Sequence, residues 1–379
     1  MRVLLLLAVI IAVVCCTRIN FKMGFAVTVD PLATGWTWNH MTARGRLLAE
    51  YRRLDAPYRV INLTDTYVCD ARCKNELLQF ASENMNMVVL AATAFSSVSN
   101  EVAERFPHVE FLQSTSIPST IPSNMNLGYA NIEKLRFITC AYAGRVTKNN
   151  KVGYLSELAE AQYARNQINS CALGLAYTNP SATLYVLNVG RLNNPLYDMV
   201  ATEELFNRTG VDTFTHHNMY GHSLGMACSL GIPYLFGFGS DQRQFVGDKV
   251  LTSNMYDWFN MYDYFYSRVR RNKCHINNYQ AELGSGVIML APYSPLATYT
   301  DRLVINDLFN QVKDGVNKVW CGAAVAAYNP GPDGCITRAQ LAKITTFIGN
   351  TIYLGTANIT APLRQQMTSS CWNPPTHIP

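Results

Sequence analysis

Val211-Asp-Thr-Phe-Thr-His-His217-Asn-Met-Tyr-Gly-His-Ser223, Leu224-Gly-Met-Ala-Cys-Ser-Leu230 and Gly231-Ile-Pro-Tyr-Leu-Phe-Gly-Phe-Gly-Ser-Asp241 form one continuous stretch that decides how this chain folds. A short apolar strand ends in a polar loop at His217 and Asn218. A helix-length segment follows, and a second strand ends at Asp241. That is a βαβ unit. In open α/β sheets, loops and helix N-termini converge at such strand ends and line the ligand crevice.

The unit recurs earlier. Met87 to Phe95 reads as a strand, Val98 to Arg105 as a helix and Phe106 to Leu112 as a second strand. Each copy has its own preceding strand and helix. These are Met23 to Val29 with Gly45 to Arg53, and Lys151 to Leu155 with Ala159 to Leu175. One architecture twice, each copy of about a hundred residues, predicts two doubly wound α/β lobes with a central cleft. Expected boundaries are 20–125 plus 237–286 for the first lobe and 126–236 plus 287–379 for the second. The chain is expected to cross between lobes at Ser114–Asn131, near Phe236–Asp241 and at Val287–Pro292. Trp36, Phe95, His217, Asn218 and Asp241 stand at expected strand ends and are the candidate ligand-binding residues.

Composition narrows the function. Of 379 residues, 49% are hydrophobic and only 15% charged, with a net charge of +5, which fits a chain with full cores. The one dense basic run is Arg268, Arg270, Arg271 and Lys273, too local for the basic face that nucleic-acid binding requires. Arg2 followed by the apolar run Val3 to Val14 reads as a signal peptide, placed at 1–17, because the run is too short to span a membrane. Export is therefore expected, to the outside or to a secretory or endolysosomal lumen; a bacterial cell-surface lipoprotein is the alternative, with Cys15 or Cys16 lipidated. Sequons at Asn62, Asn207 and Asn358 are expected glycosylation sites on the surface. Asn207 is expected near a helix end capped by Gly210.

Cysteine usage agrees with export. Cys69 and Cys73, in one short loop, are the first expected disulfide, and Cys321 with Cys335 the next. Cys140, Cys171 and Cys228 lie in apolar helical contexts and are expected as buried free thiols. No metal or cofactor is expected, since Cys69-x-x-x-Cys73 lacks a second ligand pair.

Several motifs, in order, carry a family resemblance. They are Gly35-Trp36-Thr37 with His40, Phe106-Pro-His-Val-Glu-Phe111, Lys151-Val-Gly-Tyr154, Gly210-Val-Asp212 with His217, Gly237-Phe-Gly-Ser-Asp241, and Leu251-Thr-Ser253 with Trp258. From Met23 to Tyr264 the chain resembles the basic membrane protein family, substrate-binding lipoproteins that include the bacterial purine nucleoside receptor. The resemblance implies a periplasmic-binding-protein type I fold closing on a purine nucleoside or base, without catalysis. It implies Trp36 as the first-lobe aromatic and Asp241 as the second acidic residue of a turn. The chain departs from the pattern at Gly239, where that turn's first acid would stand, and at Leu192, where a second-lobe aromatic would stand. The expected partner is the small-molecule ligand, with a membrane permease or receptor as a further candidate. Two alternatives stand beside this reading. One is a nucleoside hydrolase using His216, His217, His222 and Asp241; the other is a signalling or structural module that inherited the fold without its ligand.

Overall fold

The computed structural model of the protein describes residues 20–63, 68–114, 121–192, 194–271, 278–341 and 343–377. The leader segment, Cys15, Cys16, Thr64 of the first sequon, Lys273 and Cys274 lie outside them.

The first half alternates strands with helices. Its elements are β1 (Phe21–Val27), α1 (Trp36–Glu50), β2 (Leu54–Asp55), β3 (Tyr58–Val60), α2 (Ala71–Ala81), β4 (Met87–Leu90), α3 (Ser99–Arg105), β5 (Glu110–Gln113) and β6 (Met125–Ala130). Then come α4 (Ile132–Val146), β7 (Lys151–Ser156), α5 (Gln162–Thr178), β8 (Thr183–Asn188), α6 (Pro195–Thr209), β9 (Thr213–His217), α7 (His222–Ser229), β10 (Tyr234–Gly239) and β11 (Val250–Tyr256). The chain closes with α8 (Phe259–Arg270), β12 (Asn278–Ala281), β13 (Ile288–Leu290), α9 (Tyr299–Lys313) and β14 (Thr351–Thr356).

Among the described residues these strands build two seven-stranded sheets. The first has the order β12-β6-β5-β4-β1-β2, with β3 also on β1; the second runs β13-β11-β10-β9-β7-β8-β14. Pairing is parallel throughout except between β11 and β13. The central strands are continuous apolar runs buried on both faces, such as Met87–Leu90, as parallel sheets covered by helices require. Two α/β lobes, each built on a mainly parallel sheet, result.

The lobe boundary differs from the sequence expectation. Residues 237–256 belong to the second sheet: β10 pairs with β9, and β11 with β10. A strand that follows a short βα connection lies beside its predecessor, so the chain has no reason to leave the sheet at Phe236. Nor does it cross in the body of Ser114–Asn131, because β6 still pairs with β5 and only the last residue of that stretch leaves the lobe. It crosses at Asn131, the residue before α4, again between Tyr256 and Phe259, and finally between Ala281 and Ile288. The stretch Val287–Pro292, expected as the third crossing, instead holds β13 of the second sheet, just after the chain has crossed. Helix α8 covers the first sheet, with Tyr262 edge-on to Phe25 at 5.3 Å and Tyr266 to Phe21 at 5.0 Å.

Helix α4 is buried on nearly all sides, as expected for a helix between a sheet and other helices. Cys140 on α4 is disulfide-bonded to Cys171 on α5, and Cys228 on α7 to Cys371 near the C-terminus. These three residues are therefore not free thiols. Each partner lies far along the chain, and apolar context alone cannot distinguish a packed thiol from one facing another cysteine. Cys69–Cys73 and Cys321–Cys335 are also bonded. Asn62, Asn207 and Asn358 are exposed, and Gly210 ends α6 in the left-handed region at φ +63°, where glycine carries no Cβ penalty. Among the described residues no helix is long and apolar enough to cross a membrane.

Two predictions follow from the core. In the chain-entropy model, closing the 143-residue separation of Cys228–Cys371 contributes about 5 kcal/mol, against about 2 kcal/mol for the 4-residue separation of Cys69–Cys73. The Cys228→Ala/Cys371→Ala pair should therefore lower the melting temperature more than Cys69→Ala/Cys73→Ala; equal losses would show that the long link does not hold the tail. The second concerns acid. Burial pushes His40 down to about 3 from its ordinary 6.5, so between those values the unfolded chain binds a proton that the folded one refuses. Stability contributed by neutral His40 is present above pH 6.5 and is lost as pH falls below it, by about 1.4 kcal/mol per pH unit. Chemical unfolding of His40→Phe between pH 7 and pH 5 should show a shallower loss than the parent chain; parallel slopes would contradict the assignment.

Candidate functional site

Strand ends of both sheets meet at the cleft. At the end of β1 the chain turns through Pro31–Gly35 and starts α1 at Trp36. The indole ring is fixed rather than loose. Its Nε1–H donates to the Ala91 carbonyl at 2.6 Å, and the ring stands edge-on to Tyr256 (5.1 Å, 80°) and Trp258 (5.2 Å, 73°). Tyr256, Trp258 and His40 form a parallel column, with centroids 5.0 and 4.8 Å apart and planes within 11°. Offset stacks and edge contacts at these spacings are the favoured aromatic geometries. His40 closes the column through a hydrogen bond between Nδ1 and the Tyr262 hydroxyl.

A cavity of about 100 Å³ opens between the lobes. Trp36, Thr93, Ser114 and Tyr129 line it from the first lobe. Glu157, Tyr163, Gln167, His217, Asn218 and Phe238 face it from the second, with Glu133, Tyr256 and Trp258 at the crossings. Of the candidates read from sequence, the structure brings Trp36, His217 and Asn218 to this cavity. Phe95 is absent from its lining because β4 ends at Leu90 and a tight 3-10 turn, Thr93–Ser97, folds the Phe95 ring into the first lobe's core. Asp241 also lies outside the lining. It sits beyond the end of β10, where its Oδ1 accepts the Arg243 backbone N–H at 3.3 Å.

The sequence reading missed the two carboxylates. Glu157 directly follows β7 and accepts the Met219 N–H at 3.2 Å. Glu133, in the first turn of α4, accepts the Tyr129 hydroxyl at 2.9 Å, and the partial positive charge of a helix N-terminus favours an acid there. Both were findable by the strand-end rule that singled out His217, had it been applied to β6 and β7. Burial is the first cause raising the Tyr163 hydroxyl above its usual range, with the Glu157 charge second. Burial pushes His217 well down, and the Arg136 charge with the neighbouring His216 pushes the same way; its imidazole is neutral. Arg136 itself is fully buried, donating to Thr215 Oγ1 and the His216 carbonyl, with its guanidinium 4.8 Å from the Phe238 ring centroid.

The lobes touch along a backbone seam. Thr34 Oγ1 accepts the Gly221 N–H at 3.0 Å, Asn39 Nδ2 donates to the Gly239 carbonyl, and Ser240 donates its hydroxyl to the Thr34 carbonyl. Gly239 adopts φ +89°, and a Cβ there would lie 3.0 Å from the Gly35 backbone. An acidic side chain at Gly239 would meet both the strain of a positive φ and a tight contact with the opposite lobe. A Cβ at Gly35 would meet the Met219 carbonyl oxygen at 2.5 Å. Gly35→Ala should therefore hold the lobes apart while each remains folded. Small-angle scattering should show a larger radius of gyration with an unchanged circular dichroism spectrum; an unchanged radius would contradict the seam.

Comparison with known proteins finds relatives in sequence and in the two-lobed α/β fold. A purine-binding protein of Brucella abortus is 23% identical over 75% of this chain and 79% of its own. A protein of Haloferax volcanii named for glucose binding in an ABC transporter is 23% identical over 76% and 71%. A metabotropic glutamate receptor-like protein of Dictyostelium discoideum is 24% identical over 67% of this chain, but over only 34% of its own length. In fold, a solute-binding protein of Conexibacter woesei superposes with TM-score 0.63 at 19% identity, covering 79% of this chain and 98% of that one. One from Aeropyrum pernix gives TM-score 0.66 at 12% identity, covering 79% and 92%. The family model for PnrA-like ABC transporter substrate-binding proteins matches residues 25–311. The chain belongs to that family, whose members bind solutes and are not enzymes.

Proposed function

We propose that the protein closes its lobes on a purine nucleoside or free base. The observation that carries this reading is the cavity wall: flat rings from both lobes, Trp36 and Phe238, flanked by the carboxylates Glu133 and Glu157. A planar base can stack on such rings, a contact that contributes about 1–3 kcal/mol by analogy with single-stranded nucleic-acid binding. A carboxylate accepts hydrogen bonds from ribose hydroxyls or a ring N–H, each about 1.5–3 kcal/mol when charged. The Brucella purine-binding relative supports the same class. A hexose is the second reading, favoured by the relative named for glucose binding, since ring faces and carboxylates also suit a sugar.

The leader read at 1–17 and the exposed Asn62, Asn207 and Asn358 support an exported, glycosylated protein. At Asn358 the Thr360 hydroxyl donates to Oδ1 at 2.7 Å, so acceptor and hydroxyl of that sequon are already paired. A membrane permease or receptor is the proposed partner of the loaded form.

Isothermal titration with adenosine, guanosine, adenine and glucose separates the readings. A nucleoside or base should bind, and Trp36→Ala and Glu157→Gln should each weaken it by about 1–3 kcal/mol in a folded protein. Binding of glucose with no response to any purine would replace the purine reading with the hexose one. Silence across the panel would favour a module without this ligand class.

A further inference from the structure

The second-lobe wall carries a polar pair whose bonding is half complete. Gln167 on α5 is 5% exposed, and its Nε2 lies 3.3 Å from His217 Nε2. His217 is packed edge-on against Phe238 at 4.5 Å and Tyr163 at 5.6 Å. The remaining polar atoms of the pair, Gln167 Oε1 and His217 Nδ1, are buried and have no hydrogen-bond partner among the described residues. Both side chains line the cavity.

A neutral imidazole has one N–H and one bare nitrogen, and an amide has one carbonyl and one NH₂. If Gln167 donates to His217 Nε2, the unused atoms are an N–H at His217 Nδ1 and a carbonyl at Gln167. If the amide is turned over, Gln167 accepts from His217 Nε2–H, and the unused atoms are a bare Nδ1 and an amide N–H. Either assignment leaves the pair with one unused donor and one unused acceptor. The buried Arg136, bonded to the His216 carbonyl at 3.0 Å and to Thr215, sets a positive charge on the same strand. That charge opposes a second proton on the ring, which would turn the pair into two donors.

We propose that Gln167 and His217 together read the edge of the bound base, selecting one that carries a hydrogen-bond donor next to an acceptor. This rests on the purine reading above and deepens it. The N6 amino group of adenine beside N7 has that pattern. A 6-oxopurine supplies it only through O6 and N1–H. A purine unsubstituted at C6 offers acceptors alone, which leaves one member of the pair buried without a partner. Binding specificity is sharpest where a lost partner strands a buried polar group.

Titration of the full chain with adenosine and with purine riboside tests this, using the parent, Gln167→Met and His217→Phe, each checked by thermal melting. The parent should bind adenosine about tenfold more tightly than purine riboside, or better. Each variant should bring the ratio close to one by weakening adenosine while leaving purine riboside nearly unchanged. Two variants from different elements are used so that a folding defect in one leaves the other decisive. A parent that binds both nucleosides equally, or variants that weaken both by the same factor, would overturn the pair's role while the purine reading stands. Binding of neither nucleoside would overturn both.

Discussion

The approach of two backbones, Gly35 from the first lobe against Met219 and Gly239 from the second, is the constraint on which the cleft depends. Side chains can rearrange when lobes meet, whereas main-chain atoms cannot, so a seam of glycines fixes how close the lobes come. It also fixes where Trp36, the next residue, stands relative to the second sheet. Hydrogen bonds that a ligand makes to Glu133 and Glu157 inside a partly enclosed cavity are stronger than the same bonds in bulk water, because the local dielectric is lower.

Electrostatics divides the cavity into distinct zones. The carboxylates Glu133 and Glu157 stand at the N-terminus of α4 and the end of β7. On β9 the imidazoles are held neutral, burial being the first cause for both His216, pushed down to about 3, and His217. The Arg136 guanidinium lies behind them without exposure, bonded to neutral oxygens and stacked on Tyr154 and Phe238. Behind Glu157, the fully buried Asp198 is pushed well above the carboxylate range, by burial first and the Glu157 charge second. Burial and the neighbouring Glu157 both work against a second negative charge at Asp198. Such a wall presents acceptors to a donor-rich ligand and opposes a phosphorylated one.

Much of the fold was legible because parallel strands announce themselves as short apolar runs ending in polar loops. The βαβ unit at Val211–Asp241 and its earlier counterpart gave both lobes, and the strand-end rule gave Trp36, His217 and Asn218. The failures have physical causes. Phe95 looked like a strand end because Ala91 to Phe95 is apolar, yet a 3-10 turn reverses the chain there. Asp241 was placed at the strand end by the same rule, yet β10 ends at Gly239 and the Asp241 carboxylate serves the turn that follows. The thiols of Cys140 and Cys171 could not be paired from sequence, since the contact between α4 and α5 is tertiary. Tyr163 and Gln167 lie in the first turns of α5 with no motif around them, and only their position facing β9 reveals them.

A crystal structure of the protein grown with adenosine is the most direct test of the central claim, that the space between the lobes is a purine site closed along the glycine seam. The account predicts the base between Trp36 and Phe238, its amino edge on Gln167 and His217, and Gly35 still against Met219. Adenosine bound elsewhere, or a liganded protein whose lobes stand open with the seam broken, would contradict it.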